Sequence, residues 1–201
     1  MNTTRTRCSW ATSDEALTLY HDQEWGVPAH EDARHFELLV LEAAQAGLSW
    51  LTVLRKRDAY RLAYRGFDPA KVARFGKRYL ERLLGDAGIV RNRAKIESSI
   101  KNARRFLEVQ QEFGSFDAYV WKWTNGKPVV NHWQVISEIP PRSGLSDEVS
   151  KDLKARGFSF VGSTIIYSHL QAVGVVNDHL VSCFRWAEQA SRRAESPGPP
   201  Q

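Results

Sequence analysis

The chain has 201 residues and a formal net charge of +5 at pH 7, with 42% hydrophobic and 25% charged residues. This composition is ordinary for a globular protein of one domain and excludes a disordered chain. No apolar run approaches the roughly 18 residues that a membrane span needs, so no membrane partner is expected. Because there are only two cysteines and no signal peptide, a disulfide scaffold is excluded and a cytoplasmic location is expected. The positive charge is compatible with a polyanionic partner.

Helical patterns follow one another along the chain, and no stretch predicts a strand clearly. We therefore predict an all-α fold, in which residues 1–189 form a single compact helical unit and residues 190–201 a disordered, proline-rich tail. The last helix is expected to be capped by Asn177 or Asp178 and to carry His179 and Cys183. The other predicted helices cover residues 13–25, 31–46, 50–65 (one or two helices), 68–75, 77–84, 92–113, 115–124, 145–156 and 163–173.

An acidic residue lies in the middle of a helical segment that is largely apolar. The segment from residue 36 to residue 46 is hydrophobic nearly all round, which is typical of a buried helix, and Glu42 stands in its middle. A buried carboxylate costs several kcal/mol unless it is paired, protonated or reserved for a ligand. Glu42 is therefore either an internal ion-pair partner or an acid in a pocket. Gly47, Leu48 and Trp50 follow in a loop that we expect at a cleft.

A short glycine-containing turn joins the helices predicted at 77–84 and 92–113. Such a turn can expose backbone N–H groups at the start of the second helix, where they and the helix dipole bind phosphate. The alternative is a plain pair of antiparallel helices with a solvated basic face. The turn and its surroundings contain Gly85, Gly88, Arg91, Arg93 and Lys95.

The two cysteines lie near opposite ends of the chain, and each has a histidine at a spacing that suits a metal site. Cys8 and His21 read C-x12-H, while His179 and Cys183 read H-x3-C, which puts both side chains on one face if this segment is helical. Two thiolates and two imidazoles make a complete tetrahedral set for Zn²⁺. Two unrelated buried thiols, or a disulfide between Cys8 and Cys183, are the alternatives.

Several longer motifs occur in a fixed order between about residues 8 and 185. They read C-S-W, Y-H-D-x-E-W-G-V-P, L-E-x-x-Q-A-G-L-S-W, D-A-G-I-V-R-N-R-x-K-I, G-F-x-F-V-G and N-D-H-x-x-x-C. Together they resemble the 3-methyladenine DNA glycosylase I family of the helix-hairpin-helix DNA glycosylase superfamily. The resemblance implies two helical lobes that flank a base pocket, with a helix-hairpin-helix at about 77–105.

The resemblance also implies a role for each motif. A structural Zn²⁺ joins the two ends through Cys8, His21, His179 and Cys183. The implied activity is excision of 3-methyladenine by hydrolysis of the N-glycosidic bond, without strand cleavage. Glu42 is the implied catalytic residue, and the implied base pocket consists of Trp10, Tyr20, Glu42 and Trp50. At Leu17 and Ala44 the sequence departs from the family pattern, where a Tyr and a second Gln can stand.

Partners follow from the same resemblance. We expect double-stranded DNA with alkylated bases as substrate, free 3-methyladenine as product ligand, and a monomer. Leu48 is the candidate wedge that fills the gap left by a flipped base. The expected DNA contacts are Leu48, Gly85, Gly88, Arg91, Arg93 and Lys95. A zinc-stabilised DNA-binding module without catalysis is the alternative, whereas a zinc deaminase is disfavoured because no H-x-E signature accompanies the cysteines.

Overall fold

The computed structural model describes residues 5–195, with side chains described for residues 5–190. The expected all-α class is confirmed in its main feature, because helices make up most of this part of the chain. The helices are α1 (Glu15–Gln23), α2 (Asp32–Gln45), α3 (Trp50–Leu54), α4 (Arg57–Ala63), α5 (Pro69–Val72), α6 (Lys77–Gly85), α7 (Arg93–Phe113), α8 (Phe116–Trp121), α9 (Gly144–Ala155), α10 (Ser163–Ala172) and α11 (Phe184–Glu195). Short 3₁₀ turns join several of them.

Polar side chains set the starts of several helices. Asp14 accepts a hydrogen bond from the amide of Ala16 at the start of α1, and Asn92 accepts one from Lys95 at the start of α7. Asp68 caps α5, whose first residue, Pro69, has no N–H that needs a partner. These caps satisfy backbone donors that a helix itself leaves unpaired, so they explain why the predicted starts are close to the observed ones.

Helix α2 is the centre of the core. Its residues from position 35 to position 44 are all buried, and it contacts α3, α7, α8 and α10. Phe36 packs edge-on against Phe106 of α7, with their ring centroids 5.3 Å apart. A helix surrounded in this way is expected to be mostly apolar, yet its buried residues include His35, Glu37 and Glu42. Any polar group on it therefore faces either a partner or a cavity.

Two short strands lie outside the all-α prediction. β1 (Val129–Val130) and β2 (Val176–Asn177) pair in parallel, with Val129 opposite Val176. Gly174 ends α10 with φ +75°, and a Cβ there would lie 2.5 Å from the backbone nitrogen of Pro28. The chain leaves α10 against this neighbouring backbone and continues in an extended conformation. Periodicity could not predict this step, because the strands contain only two residues each.

The last helix differs from its prediction at both ends. It begins at Phe184, so His179 and Cys183 lie in the irregular segment before it, and Asn177 and Asp178 do not cap it. Asn177 instead accepts from the amide of His179 and donates to the carbonyl of Trp186. The helix reaches Glu195 and so includes the first residues of the predicted tail (190–201), while residues 196–201 lie outside the described residues. Among the described residues, no helix is both long and apolar enough to cross a membrane.

Candidate functional site

The four predicted metal ligands come together although they lie at opposite ends of the sequence. Their ligand atoms all lie within 4.8 Å of one another, and all four residues are buried. The Sγ of Cys183 lies 3.4 Å from His21 Nε2 and 3.6 Å from His179 Nδ1, and the Sγ of Cys8 lies 3.7 Å from His179 Nδ1. Both cysteines are free thiols, so the disulfide alternative is wrong. This cluster could hold a metal ion.

Neighbouring groups fix the orientation of both histidines in the cluster. His21 Nδ1 lies 2.8 Å from a carboxylate oxygen of Asp22, which Arg7 holds in turn. His179 Nε2 lies 3.1 Å from the carbonyl oxygen of Trp25. Each imidazole therefore donates its N–H away from the cluster and turns its other nitrogen towards the sulfurs. Metal-binding histidines are commonly oriented by such outer partners.

A cavity of about 320 Å³ lies next to this cluster. It contains all four residues of the implied base pocket, together with residues that the sequence did not single out. Four of its ten lining residues are aromatic, and α1, α2, α3 and α10 all contribute to it. The lining residues are Trp10, Tyr20, Trp25, Glu42, Gln45, Trp50, Ile136, Ile139, Ser168 and Gln171.

Glu42 is a pocket acid and not an internal ion-pair partner. Its side chain is buried, yet its carboxylate accepts no hydrogen bond from the residues that the structure describes. Burial raises its pKa from the ordinary value of 4.5 to about 8, against the opposing effect of the positive charge of Arg34. An unpaired acid with a raised pKa at a cavity wall is a feature of functional sites.

Aromatic rings enclose the space beside this acid. The rings of Tyr20 and Trp50 are 5.2 Å apart, and those of Trp10 and Trp25 meet edge to face at 5.1 Å. Trp50 Nε1 is buried and has no hydrogen-bond partner in the described part of the chain. Burial, and after it the charge of Glu42, raises the pKa of Tyr20 well above its usual value. The cavity therefore offers flat apolar faces and unused polar atoms.

Asp178, which the sequence suggested only as a possible helix cap, connects the cavity to the rest of the fold. Its side chain is 1% exposed. One carboxylate oxygen accepts from Asn131 and Trp133, each at 2.7 Å, and the other from Tyr167 and Gln171, each at 2.6 Å. An acid at the end of the apolar run before His179 was the only signal in the sequence, because its partners lie 7 to 47 positions away.

The metal cluster and the cavity share a wall. Trp25 lines the cavity with its side chain, while its carbonyl oxygen faces His179. Gly26 follows at φ +77°, and a Cβ there would lie 2.9 Å from His179 Nε2. Trp10, another lining residue, packs edge-on against His21 at 5.3 Å. The cluster therefore holds the segment that forms this side of the cavity.

The loop after α2 lies at the mouth of the site. Gly47 has φ +76°, and Leu48 is 42% exposed at the edge of a second cavity of about 200 Å³, which Glu42 also lines. Lys95, which we expected to contact DNA, instead donates from Nζ to the carbonyl oxygens of Ala44 at 2.8 Å and Ala46 at 2.6 Å. Lys95 thus joins the start of α7 to this loop.

The turn between α6 and α7 is close-packed against α4. The Gly88 amide donates to the Asp86 carboxylate, and a Cβ on Gly88 would lie 2.8 Å from the Cβ of Ala59. Gly85 is the last residue of α6. Arg91 is exposed, and Arg93 is exposed but pairs with Glu81 and Glu97. The structure thus places the two arginines on the surface beside this turn, and Lys95 in an internal contact.

Known proteins resemble this chain over almost its whole length. The family model described as methyladenine glycosylase matches residues 10–186. The DNA-3-methyladenine glycosylase 1 of Escherichia coli strain K12 is 49% identical over 177 residues, which are 88% of this chain and 95% of that protein.

Solved structures agree with this finding. A crystal structure of 3-methyladenine DNA glycosylase I has a TM-score of 0.86 and 45% identity, covering 89% of this chain and 98% of the other. A tyrosine-to-phenylalanine variant of such an enzyme, in complex with 3-methyladenine, also has a TM-score of 0.86, with 36% identity over 89% of this chain and 96% of the other. The chain therefore belongs to the methyladenine glycosylase family.

Proposed function

We propose that this protein is a monofunctional DNA glycosylase that excises 3-methyladenine from alkylated DNA and leaves an abasic site. The observation that carries the proposal is the unpaired Glu42 carboxylate in a cavity walled by Tyr20, Trp50 and Trp10. The family and the relatives named as 3-methyladenine glycosylases support it. The cavity provides what a flat, positively charged base requires.

Recognition of the base follows from charge and from stacking. Adenine methylated at N3 in DNA has a positive charge that is delocalised over the ring. The face of an aromatic side chain such as Trp50 attracts a cationic ring more than a neutral one. The Glu42 carboxylate opposes the same charge and accepts from the exocyclic amine. A normal adenine gains less from both contacts, which gives discrimination between damaged and undamaged bases.

Bond cleavage needs little help from an acid. The base leaves as a neutral molecule, because its positive charge is neutralised when the glycosidic bond breaks. Water then adds to the oxocarbenium-like sugar. Glu42 is buried and has a pKa of about 8 in the free protein. A cationic base beside it favours the ionised carboxylate, so its charge becomes available when the substrate is bound.

The base must leave the duplex before it can enter the cavity. Leu48 is the proposed wedge that fills the vacated space, since it is an exposed apolar residue at the tip of the loop beside the cavity. Residues 77–105 are proposed to act as a helix-hairpin-helix, with Arg91 and Arg93 near the DNA backbone. The turn containing Gly85 and Gly88 would contact phosphate through its backbone.

The metal cluster is proposed to hold a structural Zn²⁺. With bonds of about 2.3 Å to sulfur and about 2.0 Å to nitrogen, a tetrahedral Zn²⁺ separates S and N ligands by about 3.5 Å. The observed S to N distances of 3.4, 3.6 and 3.7 Å fit this value. Bound there, the ion would stabilise two thiolates and fasten the chain ends together. Four protein ligands fill its coordination, which supports a structural role.

Incubation of the protein with alkylated duplex DNA, followed by chromatography of the released bases, tests the proposal. We expect 3-methyladenine to be released and the abasic strand to remain uncut until it is treated with alkali. Undamaged DNA of the same sequence is the control and should release no base. Salt-dependent DNA binding without any base release would instead support a zinc-stabilised DNA-binding module.

A further inference from the structure

Gln171 lines the cavity, and the buried Asp178 determines the orientation of its side-chain amide. It belongs to α10 and faces the cavity that also contains Glu42 and Trp50. Its Nε2 donates to Asp178 at 2.6 Å. Its Oε1 accepts no hydrogen bond from the residues that the structure describes. Of the two polar atoms of this side chain, only the carbonyl oxygen is free to meet a ligand.

The chemistry of Asp178 makes this orientation the required one. All four of its hydrogen bonds come from groups that are donors here: the side-chain amides of Asn131 and Gln171, the indole N–H of Trp133 and the hydroxyl of Tyr167. Both carboxylate oxygens of Asp178 therefore act as acceptors in all four of these contacts. If the Gln171 amide were rotated, its carbonyl oxygen would face that carboxylate and leave a buried repulsive contact. The amide nitrogen must therefore point to Asp178.

We propose that Gln171 is a base-binding residue whose Oε1 accepts a hydrogen bond from the exocyclic amine of the flipped base, and that Asp178 is the residue that positions it. This inference rests on the proposed function and extends it. Glu42 and Gln171 then present two acceptors to the same base. The amine of a cationic base is a stronger donor than that of a neutral one, so the second acceptor adds to the preference for the damaged base.

The same arrangement gives a preference between purines. A guanine ring has a carbonyl oxygen at the position where adenine has its amine. Two acceptors in the cavity would then meet a third acceptor, and a buried site built to receive an N–H rejects a ligand that lacks it. Asp178 prevents Gln171 from rotating its amide to suit the guanine. The pocket thus selects adenine through the orientation of the Gln171 amide, which Asp178 sets from outside the cavity.

Two variants and two ligands test the assignment. Gln171→Leu removes the acceptor and one of the four donors to Asp178. Tyr167→Phe is the matched control, because it removes the other donor to the same carboxylate oxygen without changing a residue that lines the cavity. The ligands are free 3-methyladenine and an N3-methylated purine that lacks the exocyclic amine. Dissociation constants are measured by calorimetry, and melting temperatures verify the fold.

We expect Gln171→Leu to bind 3-methyladenine about tenfold more weakly, or worse, as is typical for a hydrogen bond to a charged partner. Its affinity for the purine without the amine should equal that of the wild type. Tyr167→Phe should bind both ligands as the wild type does. If Gln171→Leu does not fold, Gln171→Asn serves instead, since its shorter amide cannot reach both Asp178 and the base.

Three results would overturn the inference. The first is unchanged affinity of the Gln171 variant for 3-methyladenine. The second is an equal loss for both ligands, which would mean that the amine is not the group contacted. The third is the same loss in Tyr167→Phe, which would assign the effect to Asp178 alone. Failure of the wild-type protein to bind or release 3-methyladenine would instead contradict the proposed function itself and remove the inference with it.

Discussion

Buried polar groups have partners in one part of this molecule and lack them in the adjoining part. In the metal cluster, both histidines are held from behind, by Asp22 and by the carbonyl oxygen of Trp25, and turn their remaining nitrogens towards two cysteines. In the neighbouring cavity, the Glu42 carboxylate and the indole nitrogen of Trp50 have no partner among the described residues. The two parts share Trp25. Of the two, only the cavity contains buried polar groups that a small organic ligand could pair with.

The difference shows how structural and ligand-binding groups can be told apart. Buried polar groups in proteins are nearly always paired, so a fully paired cluster acts to hold the fold. Unpaired groups in a cavity cost free energy until a ligand pairs with them. We therefore expect the cluster to hold the two ends of the chain together and the cavity to bind the base. Four predictions test this contrast, beginning with the largest expected effect.

Loss of one cysteine should destabilise the whole fold. In Cys183→Ser, the proposed zinc loses a thiolate ligand. The segment that contains Trp10 and Trp25 is then held less firmly by the cluster. We expect a loss of about 3–5 kcal/mol in the free energy of unfolding and a melting temperature lower by about 10 °C or more. Metal analysis and thermal melting measure the two effects.

A chelator added to the wild-type protein should lower the melting temperature in the same way. Stoichiometric zinc and an unshifted melting temperature in Cys183→Ser would show that Cys183 is not a stabilising ligand.

Glu42 should make the stability of the protein fall as the pH rises. Its pKa is about 8 when it is buried in the folded protein, against 4.5 ordinarily. Between these values the unfolded chain has lost the proton that the folded protein retains, so the free energy of unfolding decreases through this window and levels off above it. Glu42→Gln should remove this decrease and be more stable than the wild type by about 3 kcal/mol at pH 7, and by more at pH 9.

Melting temperatures at pH 5, 7 and 9 measure this effect, and the two proteins should differ least at pH 5. Glu37→Gln is the control on the same helix. Burial alone would raise the pKa of Glu37, but the hydrogen bonds and charges of Arg57 and Arg34 lower it to about 2. The stability that its charge provides is present above pH 4.5 and is lost only as the pH falls towards 2, so this variant should be less stable at pH 7. A parallel response of the two variants would contradict the contrast.

The aromatic wall should contribute to base affinity without contributing to the metal site. We expect Trp50→Leu to bind free 3-methyladenine about 10- to 100-fold more weakly, since stacking of a base on an aromatic ring provides about 1–3 kcal/mol. Trp123→Leu is the matched control, because Trp123 also has an unpaired indole nitrogen but lines a different cavity. Calorimetric titration measures both, and equal losses would indicate a general effect on the fold.

The smallest effect is expected from a substitution of Lys95. Lys95→Met removes its two hydrogen bonds to the end of α2, so hydrogen exchange at Gly47 and Leu48 should become faster. Excision from duplex DNA should fall by a few fold to about tenfold, as expected for losing a hydrogen bond or two. The salt dependence of DNA binding should stay unchanged in this variant.

Arg91→Ala is the comparison for Lys95, because Arg91 is exposed beside the turn between α6 and α7. Its loss should reduce the slope of log affinity against log salt by about 1, as does the loss of one phosphate contact. A similar reduction in Lys95→Met would return Lys95 to the DNA-binding surface where the sequence placed it.

Much of the helical architecture could be predicted because local signals specify it. The apolar run of α2 predicts both a buried helix and an unusual environment for Glu42, and caps such as Asp14 and Asn92 mark helix starts. The metal cluster was predictable from residue types and spacing together with the resemblance. Its local geometry was not, because Gly174 and a two-residue strand redirect the chain before His179.

The parts of the site that could not be predicted depend on distant contacts. Asp178 accepts hydrogen bonds from two separate stretches of the chain, and the sequence around Asp178 does not indicate these partners. Lys95 belongs to a basic stretch that is typical of a DNA-binding surface, yet its ammonium group faces two backbone carbonyls. The sequence shows which residues are basic. Only the packing of α2 against α7 determines which of them bonds to another part of the protein and which faces solvent.

The most direct test of the contrast is excision of 3-methyladenine by Glu42→Gln, measured under single-turnover conditions at pH 7 together with its melting temperature. We predict a loss of excision of about 100-fold or more, because a buried charge opposite a cationic base is removed, and a melting temperature no lower than that of the wild type. Excision at the wild-type rate would contradict the account. So would a loss of activity that only accompanies unfolding.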